Sequence, residues 1–426
     1  MKIKKLLNVM LVTGLVVSGI PNEGNVKTYA VDTNQGSLNL ETDFCNSEGK
    51  IYKQYISALD EFDRNKDGKL SKSEQLKVDK LILEDGSKIE DLPHVYDFVN
   101  IKEMSLANVC MDIDFSVFKN LETVRIKSSM CSNMNFSGCK NLDYVYVDGS
   151  SNLENISLNG CKKITGFDLL GPTKINSLDF SDTSKLIHMN AKNNDSLKSI
   201  YVHKSWNKKN LIQIAYDVKE GNRPKYELVG FYYDFPCTVY FGNPGEEKTC
   251  KKYTGNIATE KGTIFRKDPG PNSYVYYKII GKNKVAAVQG ESFKGYLKIA
   301  DVVKYEGHKY KVTELRSRKK DWAFCDIDQQ IVLGKYVERI DANVFANCRY
   351  LRKITFGKNF KYIEKGAFKW CEDLSKVVFK GKAIKRIGKD AFYGTAKNLK
   401  VKAPKKARKK YMRLLKKAGA NQVKFK

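Results

Sequence analysis

One apolar spacing, Leu-x-x-Leu-x-Leu with other apolar residues substituting, returns throughout residues 101–202 and limits what this chain can fold into. It starts at Ile101, Cys110, Leu121, Cys131, Leu142, Leu153, Ile164, Ile175, Leu186 and Leu197, and from Leu142 onward each start lies 11 residues after the last. The units "LDYVYV", "LENISL", "ITGFDL", "INSLDF" and "LKSIYV" each end in an alternation that predicts a short strand with one buried face. Strands at this spacing leave no room for an intervening helix. Two units make a coil of 22 residues, and stacked coils share one continuous core. The reading is a solenoid.

A second beat follows. "VERIDANVFANCRYL", "FKYIEKGAFKWCEDL" and "IKRIGKDAFYGTAKNL" align on Ile340, Ile363 and Ile387, spaced by 23 and 24 residues, with "VTELRSRKKDWAF" as a degenerate first copy. Each regular unit places an Ile, a small-residue/Phe pair (Ala367–Phe368, Ala391–Phe392), a Cys or Thr, and then a Leu. The first array resembles the short leucine-rich repeats of bacterial internalin-type surface proteins. The second is similar to the BspA-like leucine-rich repeat, Ile-Gly-x-x-Ala-Phe-x-x-Cys-x-x-Leu. The resemblance implies an extracellular ligand-binding or adhesive role without implying one ligand. Both arrays are short, and Thr395 stands where the pattern has Cys.

Ahead of the arrays, "DRNKDGKLSKSE" (63–74) has the ligand spacing of an EF-hand calcium loop. Six or seven oxygens must surround the ion, and the loop supplies them from positions 1, 3, 5, 7, 9 and 12 around a glycine at 6. Those places hold Asp63, Asn65, Asp67, the backbone carbonyl of Lys69, Ser71 and Glu74, with Gly68 at the turn and Leu70 as the apolar anchor. Ile51, Tyr55, Leu59 and Phe62 predict an entering helix, and residues through Leu81 an exit helix. The competing reading is a solvated turn. No second loop is evident, since "LEDGSKIEDL" lacks the spacing. A lone hand is expected to bind Ca2+ weakly, at about 10⁻⁴–10⁻³ M, which suits structural calcium outside a cell. An EF-hand ahead of two such arrays also resembles multi-domain secreted proteins of anaerobic gut bacteria.

The N-terminus points to the same compartment. "MKIKK" followed by the apolar stretch Leu6–Val17 reads as a signal peptide cleaved after Ala30, because the stretch is too short to span a bilayer. The expected mature protein is secreted, with retention at the surface by charge as an option, and has no transmembrane segment. The formal charge is +28, of which residues 1–30 contribute +3. From Lys380 to the end there are 18 Lys and Arg and a single acid, Asp390. Ten cysteines would suggest disulfides in a secreted chain. Six of them (Cys110, Cys131, Cys139, Cys161, Cys348 and Cys371) instead occupy repeat positions expected to be buried. A Cys237–Cys250 bridge remains an option, and Cys45 and Cys325 are unassigned.

The expected organisation is a mainly β repeat solenoid with helical caps. Its parts are a signal peptide (1–30), an EF-hand-containing cap (31–98), a first array (99–204), an irregular β connector and hairpin (205–289), a BspA-like array (290–403) and a basic helix (404–426). In that last segment Ala407, Tyr411, Leu414, Leu415 and Ala418 share one face, and the opposite face is Lys/Arg. The apolar face suits a cap over the open solenoid end, while the basic face suits an anionic membrane or polymer. The two are compatible.

Catalysis finds little footing. None of the four histidines lies in a zinc motif, and neither a nucleophile elbow nor a phosphate-binding glycine loop occurs. A nucleic-acid recognition motif is likewise lacking. A candidate ligand face on the first array comprises Arg125, Tyr144, Tyr146, Asp168, His188 and Asn190, residue types that anchor interfaces but also occur on plain solvated faces. The expected partner is an extracellular protein or glycan. The rival is an anionic cell-wall polymer held through the basic C-terminus, with the repeats as scaffold.

Overall fold

The computed structural model describes residues 36–45, 52–84, 88–212, 214–220, 223–233, 236–270, 273–292, 295–317, 324, 329–420 and 423–425. The expected signal peptide, Cys325 and residues 318–323 of the degenerate repeat lie outside them. The architecture is a mainly β parallel solenoid with minor helical caps. It divides into two compact units, residues 1–164 with 170–183 and 194–197, and residues 165–169 with 184–193 and 198–426.

In the first unit the strands Lys80–Leu83, Glu103–Ala107, Thr123–Lys127 and Tyr144–Asp148 pair in parallel and in register. Leu81, Met104, Val124 and Val145 form one inward row, and Leu83, Leu106, Ile126 and Val147 another, all buried. The alternation read from sequence therefore settles which side chains enter the core. The exit helix expected through Leu81 is not formed. Helix Lys72–Gln75 stops after one turn, and Lys80–Leu83 becomes the first parallel strand, ahead of residue 99. The cause is its period of two: Leu81 and Leu83 are buried while Ile82 is exposed.

A second short sheet, Ile113–Asp114, Asn133–Asn135 and Asn155–Ser157, returns each coil. Its outer side is an amide ladder in which Asn155 Nδ2 donates to Asn133 Oδ1 (2.8 Å) and Asn133 Nδ2 donates to Asp112 Oδ2 (3.0 Å). At the coil corners the backbone turns left-handed at Asn108, Ser128, Gly149 and Gly171. Gly149 is favoured there by its φ of 67°, a conformation that residues with a Cβ rarely adopt.

In the second unit, residues 166–168 pair with His188–Ala191, which pairs with Phe231–Tyr233, again in parallel. Ser199–Val202 pairs in parallel with Thr238–Phe241, so this pairing continues past residue 204. Antiparallel pairs Ile214–Glu220 with Arg223–Val229, and Ser273–Gly281 with Lys284–Ser292, interrupt the parallel pattern. One ladder of the second array then runs through His308–Leu315, Arg339–Ile340, Tyr362–Ile363 and Arg386–Ile387. The other runs from Tyr296–Lys298 through Gln329–Val332, Leu351–Phe356 and Lys376–Phe379 to Lys400–Lys402. Between the ladders Phe324, Phe345, Phe368 and Phe392 stand in a column with successive ring centroids 5.2 Å apart. Helix Arg408–Lys417 closes the column's end, burying Tyr411 and Leu415 in the same core while its basic face stays outside. A terminal coil would otherwise expose that core to water.

Candidate calcium loop and ligand-facing ladders

The loop at 63–74 is organised from its backbone outward. Lys66 and Gly68 take left-handed conformations (φ 57° and 76°), which turns the chain back sharply. The Gly68 N–H donates to Asp63 Oδ2 (2.9 Å), the Asp67 N–H to Asn65 Oδ1 (3.2 Å), and the Lys69 N–H to Asp67 Oδ1 (2.9 Å). Asp63 is 1% exposed and its Oδ1 has no hydrogen-bond partner. A buried carboxylate oxygen without a partner costs about 1–3 kcal/mol, more for a charged group, and an ion at that point would satisfy it. The donor set therefore fits calcium.

Glu74 stands differently. Its carboxylate accepts from Ser71 Oγ (2.6 Å), the Ser71 N–H (2.9 Å) and the Arg64 N–H (3.0 Å), forming the capping box of the following helix. The Ser71 hydroxyl, then the two amides, hold its pKa below the ordinary carboxylate range. Among the described residues no three acids converge on one point. The structure thus readies Asp63 and leaves Glu74 turned onto Ser71.

Sequence reasoning missed the loop's support. EF-hands normally pair through the residue at position 8; here Leu70 pairs antiparallel with Leu38, and Lys69 with Asn39. Both leucines are buried. A strand of two residues thus braces the loop. The alternation "SLNLE" was the only signal, and it is too short to single out.

The six candidate ligand residues form two clusters. In the first unit the register places Ser105, Arg125 and Tyr146 in one outward row and Glu103, Thr123 and Tyr144 in the next. The Arg125 guanidinium lies over the Tyr144 ring at 5.4 Å, and Tyr146 OH donates to Asp148 Oδ2 (3.3 Å). Glu84 borders these rows, with Ser105 Oγ donating to it and Lys127 Nζ 3.0 Å away. Those two contacts, Ser105 first, lower its pKa.

In the second unit Asp168 faces Asn190 in register, and His188 Nε2 lies 3.0 Å from Asp168 Oδ1. Asp168, expected on a solvent-facing row, is only 8% exposed. The Tyr232 ring lies 5.7 Å from that of His188, and burial pushes the Tyr232 phenol well up. His188 Nδ1 and Tyr232 OH are buried without hydrogen-bond partners. This set is a covered polar cluster rather than an open platform.

No disulfide links Cys237 to Cys250 or any other pair of the described cysteines. Cys110 departs from expectation: it is half-buried, with Sγ 3.9 Å from Met130 Sδ, and Val109 fills the inward place. Cys139, Cys161, Cys348 and Cys371 share one bond. Each thiol donates to the carbonyl of a Phe one coil earlier, respectively Phe115 (3.3 Å), Phe136 (3.0 Å), Phe324 (3.0 Å) and Phe345 (2.9 Å). The repeat cysteine is thus a hydrogen-bonding rung between coils in both units. Burial pushes the thiols of Cys131 and Cys161 up to about 12 and that of Cys139 to about 11.

The model of the BspA-type leucine-rich repeat region matches residues 92–212 and 319–422 in six copies, more than half of the chain. No curated protein sequence matches. Three solved structures are similar at low superposition. The pneumococcal vaccine antigen PcpA is 13% identical, with 76% of this chain and 67% of that one covered and a TM-score of 0.23. A leucine-rich cell surface protein from Faecalibacterium prausnitzii A2-165 is 13% identical, with 81% and 86% covered and a TM-score of 0.26. A leucine-rich repeat protein from Bacteroides ovatus ATCC 8483 is 14% identical, with 77% and 82% covered and a TM-score of 0.23. No described helix is long and apolar enough to cross a membrane.

Proposed function

Because the chain belongs to the BspA-type leucine-rich repeat family, we propose that it is a secreted or cell-surface recognition protein that binds an extracellular partner through its first array. The observation that carries this reading is the pair of neighbouring outward rows in which Arg125, in register with Tyr146, stacks on Tyr144 of the next row. Parallel coils hold these side chains on a rigid backbone, and Tyr and Arg are the types that dominate interface energetics. The test is retention of labelled protein on epithelial monolayers and on isolated bacterial wall fragments. Binding that persists in about 0.5 M salt, where charge-only attachment is screened, and that falls on Tyr144→Ala with Tyr146→Ala supports the reading. Retention unchanged by that double substitution would sink it.

Calcium belongs to the proposal as a structural ion. Asp63, Asn65, Asp67, the Lys69 carbonyl and Glu74 would hold it, with Ser71 acting through water. Bound there, it supplies positive charge to a buried carboxylate and nothing to a reaction. Glu74 must exchange its bonds to Ser71 and Arg64 for the ion, which favours weak, extracellular-range affinity. Calorimetric titration that shows no heat and no change in melting temperature would remove calcium from the account.

A second reading keeps the repeats as scaffold and assigns binding to charge. It is favoured by the helix Arg408–Lys417, where Lys409, Lys410, Arg413, Lys416 and Lys417 are exposed while Tyr411 and Leu415 are buried. Changing those five to Glu leaves the buried face untouched. Loss of all wall retention in that variant would favour charge over the Arg125 row.

A further inference from the structure

Each regular repeat of the second array passes twice through left-handed backbone. The first passage uses Asn343, Gly366 and Asp390, all residues that tolerate it. The second uses Asn347, Trp370 and Gly394, with φ of 62°, 62° and 73°. A tryptophan there costs on the order of 1 kcal/mol or more in backbone strain. Burial is an incomplete offset, because Trp370 remains 43% exposed.

The surroundings nevertheless hold it in place. Its N–H donates to the Tyr393 carbonyl (2.8 Å), and its ring meets the Tyr393 ring at 82° with centroids 5.0 Å apart. A Cβ on Gly394 would fall 2.5 Å from Trp370 Cε3, so the glycine makes room for the indole. Tyr393 is 47% exposed and rests on Gly419. The result is a fixed right-angled corner of two aromatic rings open to solvent.

The rim of the corner is cationic. Lys369 Nζ lies 5.9 Å from the Tyr393 ring centre, Lys365 and Lys389 are exposed in the same stacked turns, and Lys416 and Lys417 end the helix leading to Gly419. The two acids of the Trp370 turn are answered by arginines of the preceding repeat, Glu372 by Arg349 (3.8 Å) and Asp373 by Arg352 (3.7 Å).

We propose that the Trp370–Tyr393 corner is a binding site for one sugar ring of an acidic polysaccharide. The C–H face of a pyranose carries slight positive charge and stacks on the negative face of an aromatic ring. The lysines supply the counter-charge for a carboxylate on that sugar or its neighbour. A protein interface would need about 800 Å² on each side, several times what two side chains offer. The site belongs to the second array and shares Lys416 and Lys417 with the charge reading, but it departs from that reading in needing stacking as well as charge.

The test is titration of the full chain with polygalacturonate oligosaccharides, with uncharged dextran oligosaccharides for comparison. Trp370→Asn is the informative variant, because Asn347 already occupies the same turn one repeat earlier. It is expected to keep the melting temperature and to weaken polygalacturonate binding about tenfold or more, the loss of one stacking contact. Lys369→Glu, which leaves both rings in place, is expected to weaken it as well. Equal binding by wild type and Trp370→Asn would overturn the site. So would dextran binding as tight as polygalacturonate, or no binding of either sugar by the wild type.

Discussion

The two repeat arrays share stacked phenylalanines and buried cysteine rungs, with Phe115 lying 4.6 Å from Phe136 in the first, but they differ in what they add to these. In the first unit the return of each coil relies on many small polar rungs, such as Asp112–Asn133–Asn155 and the Ser137–Ser157 hydroxyl pair at 2.7 Å. The second concentrates its cohesion in the phenylalanine column through Phe345, Phe368 and Phe392. A rung is worth about 1 kcal/mol because water competes for the same bonds. A buried phenylalanine is worth several times that, because removal leaves a cavity between close-packed neighbours. The first design is redundant and the second is not.

Phe368→Ala gives the sharpest contrast. It should destabilise the second array by about 3–5 kcal/mol, read as a lower denaturant midpoint. Asn133→Ala, in the first unit, should cost about 1 kcal/mol by the same measurement. Equal losses would break the comparison.

Between these extremes lies the calcium cap. Chelator should lower the melting temperature of the first unit, and Glu74→Gln should abolish the calcium-dependent difference. Acid sharpens the point. Hydrogen bonds from Ser71 and the two amides lower Glu74's pKa in the folded state. Its contribution is therefore present above the ordinary glutamate range and is lost as pH falls through the lowered value. A calcium-free melting profile flat from neutral pH to below that range would contradict the assignment.

The smallest effect is chemical. At pH 8 a thiol with a pKa of about 11 to 12 is ionised in only about one molecule in 10³ to 10⁴, so alkylation of the native protein should spare Cys131, Cys139 and Cys161. The half-buried Cys45 and Cys250 should react first, as peptide mass mapping would show.

The solenoid was legible because its signal is periodic. Every coil restates the inward positions, so Val124, Val145 and Phe167 could be placed from spacing alone. The capping face of the last helix was legible for the same reason. The loop's ligand spacing could be read, but its partner strand at Leu38–Asn39 could not, because two residues carry no period. Cys110 was misplaced by one residue where the beat is irregular, and Val109 took the core. Asp168 was outward by register yet covered, since burial on a sheet face depends on what lies across it and alternation is silent on that. Trp370 was visible only as an unremarked letter between Phe368 and Cys371. Its meaning came from a backbone angle.

The seal at the end of the second array imitates the coil it replaces. Phe392 donates its N–H to the Ala418 carbonyl, as Phe345 does to Ala367 and Phe368 to Ala391. Lys424–Phe425 pairs in parallel with Lys400–Lys402, as each ladder strand does with the next. To the array, the C-terminus is one more repeat spelled in another sequence. A whole repeat can then be duplicated or deleted upstream without redesigning the end, and the reach of the protein becomes adjustable in steps of one coil.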